Sequence, residues 1–267
     1  MADGSVHGAA QGQPYYRAVG QELEVFKVAY LQKMPVLLKG PTGCGKSRLV
    51  EKMAADLGRP LVTVACNDET SAADLLGRWL VKGGDTVWQD GPVTRAVRQG
   101  ALLYLDEVAE AREDVLVVLH PLADHRRSLH LDRCDETLVA APGFGLAVSF
   151  NPGYRHGLKD LKPSTRQRFV GIALDYPLPA VEAEIVAKES GCDLSLAKKL
   201  VELARKIRGL DELGLPETAS TRLLVAAARL VAGGMAPRQA SVAAIVQPLT
   251  DDAETLDALT QLVALGL

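Results

Sequence analysis

The chain has 267 residues, more than one compact domain usually contains, so its length predicts a larger and a smaller domain. A net charge of −3 and a pI near 6.0 argue against binding of nucleic acid through bulk electrostatics. The sequence has no apolar run long enough to cross a membrane and no signal-peptide pattern, so we expect a cytoplasmic protein without a membrane span.

The N-terminal part of the sequence predicts a flexible segment followed by a helix and a strand. Small and polar residues dominate the start, which predicts flexibility over residues 1–14. Apolar residues at helical spacing then predict a helix over 15–31, and the apolar run 36–38 predicts a buried strand. We therefore predict that an αβ domain begins at residue 15 and extends to 177.

The stretch after this strand, 40–47, reads G-P-T-G-C-G-K-S and matches the phosphate-binding signature G-x-x-x-x-G-K-[ST]. Its residues are Gly40, Pro41, Thr42, Gly43, Cys44, Gly45, Lys46 and Ser47. Glycines allow a tight loop whose N–H groups converge on phosphate oxygens, and the helix predicted over 48–57 adds its dipole. Lys46 is predicted to reach the β- and γ-phosphates and Ser47 to ligate Mg²⁺. The stretch predicts that the chain binds a nucleoside triphosphate.

The next segment contains a strand, a short helix and a hairpin that carries both tryptophans of the chain. The run 61–65 predicts a strand, and 67–70 offers a cap for a helix to about residue 76. Two short strands around Gly83-Gly84-Asp85 then predict a β-hairpin over 77–90. Trp79 and Trp88 either stack across it for local stability or form an exposed loop that grips a partner. Gly91-Pro92 opens a helix to about residue 99.

An apolar strand over 101–105 ends in Asp106 and Glu107, which predicts a catalytic pair. In a parallel sheet Asp106 would lie beside the phosphate loop and contribute to the Mg²⁺ shell. Glu107 would activate the water that attacks the γ-phosphate. This pair favours a hydrolase over a kinase.

Three further polar positions follow. A helix is predicted over 112–122, a second hairpin over 128–140, and a strand over 145–150 that ends in Asn151. Asn151 either positions the hydrolytic water or starts a turn before proline. A short basic helix over 159–169 exposes Arg166 and Arg168, which are either a solvated face or an arginine finger for a neighbouring subunit. A last strand is predicted over 170–176.

The remainder, 178–267, has a helical pattern throughout and predicts a small helical lid domain. The predicted helices cover about 180–188, 194–208, 220–232, 236–247 and 253–265. Arg222 stands near the start of the third of these helices, where it is either an ordinary helix-start arginine or one that reaches back to the β- or γ-phosphate.

Together, G-P-T-G-C-G-K-S, L-L-Y-L-D-E, S-F-N-P-G-Y, P-S-T-R-Q-R-F and S-T-R-L-L resemble the MoxR group of AAA+ ATPases, and within it the CbbQ/NirQ/NorQ family. The resemblance covers about residues 15–265, and F-N-P-G-Y to R-Q-R-F is its most specific part. It implies a P-loop sheet sandwiched by helices, followed by a helical lid. It also implies that Asn151 is sensor 1, Arg222 is sensor 2, and Arg168, or else Arg166, is the arginine finger. The two hairpins fall on inserts that face the pore or the partner side of a ring.

The resemblance further implies a hexameric ring that works with a von Willebrand factor A-domain adaptor of the CbbO or NorD type. We expect a Mg²⁺-ATP-driven motor that remodels a client, with reactivation of inhibited rubisco favoured. The alternatives are maturation of nitric oxide reductase, a metal-chelatase subunit, and a switch that binds ATP but turns over slowly.

Overall fold

The computed structural model describes residues 14–151, 161–210, 215 and 217–267, and the backbone of Val6–His7. Among these residues the chain forms two compact units. The first runs to Lys39 and resumes from Lys46 to Ala173, and the second consists of Gly40–Gly45 and Leu174–Leu267. None of the described helices is both long and apolar enough to cross a membrane.

The first unit is built on a six-stranded sheet. The strands of the unit, including two hairpins outside this sheet, are β1 (Val6–His7), β2 (Val36–Lys39), β3 (Leu61–Ala65), β4 (Gly77–Lys82), β5 (Asp85–Asp90), β6 (Leu102–Asp106), β7 (Ser128–Leu131), β8 (Glu136–Val139), β9 (Gly145–Phe150) and β10 (Val170–Ala173). The sheet order is β1-β3-β6-β9-β2-β10, and all neighbours are parallel except β1 with β3. This parallel α/β sheet confirms the predicted fold class.

The strands that matter for function are buried on both faces, as their unbroken apolar runs predict. All six residues of β9 and the first four of β6 are buried. Because β6, β9 and β2 are parallel neighbours, their carboxyl ends meet at one edge of the sheet. The chain leaves this edge at Lys39, Asp106 and Phe150. The sheet therefore brings together the ends of three stretches that lie far apart in the sequence.

The helices of the first unit are α1 (Glu22–Leu31), α2 (Lys46–Asp56), α3 (Ala72–Leu76), α4 (Pro92–Gln99), α5 (Glu113–Leu119) and α6 (Pro163–Arg166). The prediction of a helix from residue 15 was wrong, because α1 begins at Glu22. The Glu22 carboxylate accepts hydrogen bonds from the Val19 and Gly20 amides and from the Tyr16 hydroxyl, which keeps the preceding segment in a turn.

The start of α3 and the end of β10 also differ from the prediction. The cap of α3 is Ser71, whose hydroxyl and Asp74 form a reciprocal capping box, whereas Asn67 stabilises its own turn through Thr70. Strand β10 stops at Ala173, because it pairs residue for residue with β2, which ends at Lys39. The basic helix predicted over 159–169 is shorter than expected, since α6 covers only Pro163–Arg166. Residues 159 and 160 lie outside the described part of the chain.

The two hairpins of the first unit are joined to each other. Trp79 faces Trp88 across β4 and β5, with ring centroids 5.5 Å apart in an edge-to-face arrangement. The Trp79 indole N–H donates to the Arg133 carbonyl in the turn between β7 and β8. Trp79 is still 46% exposed. The tryptophans therefore stack, and one of them also leaves apolar surface open to a partner.

The second unit is helical and contains α7 (Pro179–Ser190), α8 (Leu194–Arg208), α9 (Thr221–Ala232), α10 (Pro237–Ser241) and α11 (Ala253–Gly266). The predicted continuous helix over 236–247 changes at Val242–Val246 into a π-helical turn, where the Gln247 amide bonds to the Val242 carbonyl. Small side chains such as Ala183, Ala197 and Ala227 fill much of the core. Such residues let helices pack closely without aromatic side chains.

Candidate nucleotide site

The first feature of the site is an oxygen pair made by two distant stretches of the first unit. Ser47 lies in the first turn of α2, and Asp106 is the last residue of β6. The Ser47 hydroxyl donates to Asp106 Oδ2 at 3.1 Å. A hydroxyl and a carboxylate are oxygen ligands of the kind Mg²⁺ prefers, usually together with phosphate oxygens and water. The pair predicted from the sequence therefore fits a magnesium ion.

Two residues that the sequence reasoning missed orient this aspartate. The Tyr104 hydroxyl donates to Asp106 Oδ1 at 2.7 Å, and the Ser149 hydroxyl donates to the same oxygen at 2.5 Å. Burial, followed by the charge on Asp106, raises the pKa of the Tyr104 phenol, so the phenol stays protonated and can donate. Tyr104 could have been found from the sequence, since residues two apart in a strand face the same side.

We expect Tyr104→Phe to raise the Mg²⁺ concentration at which Mg²⁺-dependent nucleotide binding is half-maximal. The variant keeps the ring but leaves Asp106 with one donor fewer, and loss of such an outer partner typically costs about 10–100-fold in metal affinity. Titration of Mg²⁺ against binding of a fluorescent ATP analogue measures the change. Tyr30→Phe is the matched control, because the Tyr30 hydroxyl donates to the Gly143 carbonyl instead. An unchanged Mg²⁺ midpoint would show that the Tyr104 hydroxyl does not support the metal.

A second cluster links the lysine of the phosphate loop to the predicted base. Lys46 Nζ donates to Asn151 Oδ1 at 2.6 Å, and Asn151 Nδ2 donates to Glu107 Oε1 at 3.4 Å. Lys46 is only 7% exposed. The structure therefore brings together three side chains from α2, β6 and β9, and the Asn151 amide lies between the amine and the carboxylate.

Glu107 has a backbone conformation that is unusual for its residue type. Its φ is 55°, in the left-handed region, which costs a non-glycine residue about 1–3 kcal/mol. The Ser149 hydroxyl accepts a hydrogen bond from the Glu107 amide at 3.0 Å and so helps to hold this turn. Strain of this kind is concentrated at functional sites. Ser149 thus connects both members of the acidic pair.

The two carboxylates at the carboxyl edge of the sheet act on a nearby thiol. Burial, followed by the charges of Asp106 and Glu107, raises the pKa of the Cys66 thiol to about 12. The thiol is therefore uncharged at neutral pH, and the negative charge lies on the two carboxylates.

Within the second unit, the phosphate loop packs against the start of α9. Gly43 has a φ of 69° and Gly45 a φ of 105°, both in the region that favours glycine. A Cβ atom at Gly43 would lie 2.7 Å from Ser220 Cβ and 3.4 Å from Arg222 Cβ. Only glycine allows this approach, which places exposed Arg222 beside the loop. The Tyr176 hydroxyl also donates to the Thr42 carbonyl at 3.0 Å.

The two arginines considered for the finger lie on or just after α6. The Arg168 guanidinium is 3.6 Å from the Asp124 carboxylate, which also pairs with Arg126 at 2.6 Å. Hydrogen bonds from Arg126 hold the pKa of Asp124 well below its usual range. Arg166 is the last residue of α6 and is half-buried. Arg168 is thus held at the surface by a charged partner of its own subunit.

Two family models match the chain. Residues 35–169 match the AAA domain of the dynein-related subfamily, and residues 182–265 match the CbbQ/NirQ/NorQ C-terminal domain. The chain is 60% identical to NorQ of Paracoccus denitrificans, covering 94% of this chain and 93% of NorQ. It is 56% identical to the denitrification regulatory protein NirQ of Pseudomonas aeruginosa, over 94% and 97% of the two chains. It is 55% identical to CbbQ of Hydrogenophilus thermoluteolus, over 93% of both.

Solved structures of more distant proteins share the fold. A mutant of RuvB from Thermotoga maritima superposes with a TM-score of 0.55 at 17% identity, covering 91% of this chain and 70% of RuvB. An ATPase-type structure from Cytophaga hutchinsonii gives a TM-score of 0.51 at 18% identity, over 94% and 90% of the two chains. Both support the P-loop fold.

Proposed function

Because the chain belongs to the CbbQ/NirQ/NorQ family of AAA ATPases, we propose that it is a cytoplasmic motor that hydrolyses Mg²⁺-ATP to remodel a client enzyme. The observation that supports this most strongly is the meeting of Lys46, Asn151 and Glu107 in one hydrogen-bonded cluster. The pair of Ser47, in the first turn of α2, and Asp106, at the end of β6, fits a metal. A switch that only binds ATP would not need a general base positioned by hydrogen bonds.

We propose the following roles for these residues. The loop from Gly40 to Gly45 surrounds the phosphates with backbone amides, and Lys46 binds the β- and γ-phosphates. Ser47 and Asp106 hold Mg²⁺, which neutralises phosphate charge when it is bound. Asn151 orients the attacking water, and Glu107 takes its proton as the water oxygen bonds to the γ-phosphorus and the bond to the β-phosphate oxygen breaks. Arg222 binds the phosphates from the start of α9.

We further propose that the active form is a homohexamer in which each site is completed by an arginine of the next subunit. Arg168 is the favoured finger, and Arg166 is the alternative. The side chain of Arg168 is 37% exposed, and in the single chain it pairs with Asp124 at 3.6 Å. A side chain held at the surface by an ion pair can exchange that partner for a phosphate of an adjacent subunit.

The proposed client is inhibited rubisco, reached through a von Willebrand factor A-domain adaptor of the CbbO or NorD type. The exposed apolar part of Trp79 in the joined hairpins is a suitable contact for such a partner. The second candidate is a nitric oxide reductase client. It is supported by the identities of 60% to NorQ and 56% to a NirQ named as a denitrification regulator. The identity to CbbQ is 55%, so the client must be chosen by direct assay.

The test is ATP turnover by the purified chain, alone and with the adaptor plus inhibited rubisco or immature nitric oxide reductase. We expect ATP-dependent recovery of carboxylase activity, and none with Lys46→Ala, because that variant lacks the amine that binds the phosphates. Lys52→Ala is the matched control, because this lysine of α2 pairs with Asp56 in the same helix. Recovery of the reductase alone would select the second client. ATP binding without turnover under every condition would instead support a nucleotide-gated switch.

A further inference from the structure

The second unit contains a buried ion pair that the proposed mechanism does not use. Glu182 in α7 is fully buried, and Arg208 at the end of α8 donates to both of its carboxylate oxygens, at 2.8 and 2.7 Å. The remaining Nε of Arg208 donates to the Ala219 carbonyl at 2.8 Å. Such a pair adds little net stability compared with apolar side chains of similar volume. Its geometry therefore needs another explanation.

One end of this network fixes the start of α9. The Thr221 hydroxyl donates to Glu182 Oε1 at 2.6 Å, and Thr221 is the first residue of that helix. Together with the Arg208 bond to the Ala219 carbonyl, this ties down the residues on both sides of the Ser220 cap. Arg222 comes directly after Thr221. Its backbone position is therefore set by the buried pair.

The other end of the network reaches the phosphate loop. The Arg208 guanidinium lies 3.8 Å from the centre of the Tyr176 ring, a cation–π contact. The Tyr176 hydroxyl donates to the Thr42 carbonyl at 3.0 Å. A continuous set of contacts therefore runs from Glu182 through Arg208 and Tyr176 to the loop. The planar guanidinium of Arg208 suits this task, because its donors point in fixed directions and leave few alternative geometries.

We propose that Tyr176, Arg208 and Glu182 are positioning residues that keep Arg222 and the phosphate loop in a fixed relation, so that both bind the same nucleotide. This inference rests on the proposed function. Because the Arg208 guanidinium contacts both the Tyr176 ring, whose hydroxyl bonds the loop carbonyl, and the Ala219 carbonyl before α9, a shift of the loop displaces the helix start. Loss of the Tyr176 hydroxyl therefore weakens the contribution of Arg222 to nucleotide binding, although the two side chains are not adjacent in sequence.

The test compares Tyr176→Phe with the matched control Tyr30→Phe. Each variant loses one hydroxyl-to-carbonyl hydrogen bond and keeps its ring, at 3.0 Å for Tyr176 and 2.8 Å for Tyr30. We expect similar thermal unfolding midpoints for the two variants. Only Tyr176→Phe should weaken binding of a fluorescent ATP analogue, by about fivefold, the value of one ordinary hydrogen bond.

A double-mutant cycle with Arg222→Ala separates positioning from a merely local effect. If the network acts through Arg222, Tyr176→Phe should change affinity much less in the Arg222→Ala background than in the native chain. Equal effects in both backgrounds, or unchanged affinity in Tyr176→Phe, would overturn the inference. If the native chain itself bound no ATP, the proposed function would fail first. Native binding abolished by Lys46→Ala, with no effect of Tyr176→Phe, would overturn only the positioning role.

Discussion

Glu107→Gln is expected to slow ATP turnover by about 10²–10⁴-fold while leaving ATP binding and ring assembly intact. Glutamine has nearly the same shape, and its amide oxygen can still accept the hydrogen bond that Asn151 Nδ2 donates to Glu107 at 3.4 Å. It cannot accept a proton from water at neutral pH. The measurements are steady-state phosphate release, binding of a fluorescent ATP analogue, and particle mass. Glu113→Gln is the control, because the Glu113 side chain is 80% exposed and pairs only loosely with Lys162, at 3.4 Å.

Two results would contradict this role for Glu107. Normal turnover would exclude it as the base. Loss of ATP binding together with turnover would mean that the residue supports the site through its left-handed backbone conformation and not through proton transfer.

Arg168→Ala is expected to reduce turnover by about 10³–10⁵-fold, the effect known for arginine fingers, with little change in ATP affinity of the isolated subunit. The reason is that the proposed finger would serve the neighbouring site, where it would stabilise charge that develops on the transferred phosphoryl group. An arginine that acts between subunits in this way predicts that mixing Arg168→Ala with Lys46→Ala subunits restores some activity. Each mixed ring then contains interfaces with both an intact phosphate loop and an intact arginine.

Arg126→Ala is the control for this experiment, since Arg126 is the other partner of Asp124 and its side chain is 55% exposed. It should retain turnover. Arg166→Ala tests the alternative finger in the same assay, and a larger loss there would reassign the role. The absence of any rescue in mixed rings, with mixing shown by mass, would contradict a shared site.

Local patterns in the sequence were enough to predict much of the first unit. Strands β3 and β9 in the first unit, and helix α8 in the second unit, have the predicted bounds, since each has a regular apolar pattern. The phosphate-loop motif also carries its own geometry, because glycine spacing sets the backbone. Helix α1 was predicted seven residues too long, since the pattern continues through a turn that the Glu22 side chain stabilises.

The sequence by itself determined the family, the parallel sheet and the acidic pair at the end of β6, because each depends on residues close together in the chain. Only the tertiary structure showed that Ser149 donates to Asp106, and that Tyr176 and Arg208 connect the phosphate loop to the start of α9. Most of these contacts join residues about 30 to 130 positions apart. At such separations the local periodicity of the sequence does not indicate which side chains meet. Hydrogen bonding between distant polar groups is decided by packing, and packing exists only once the chain has folded.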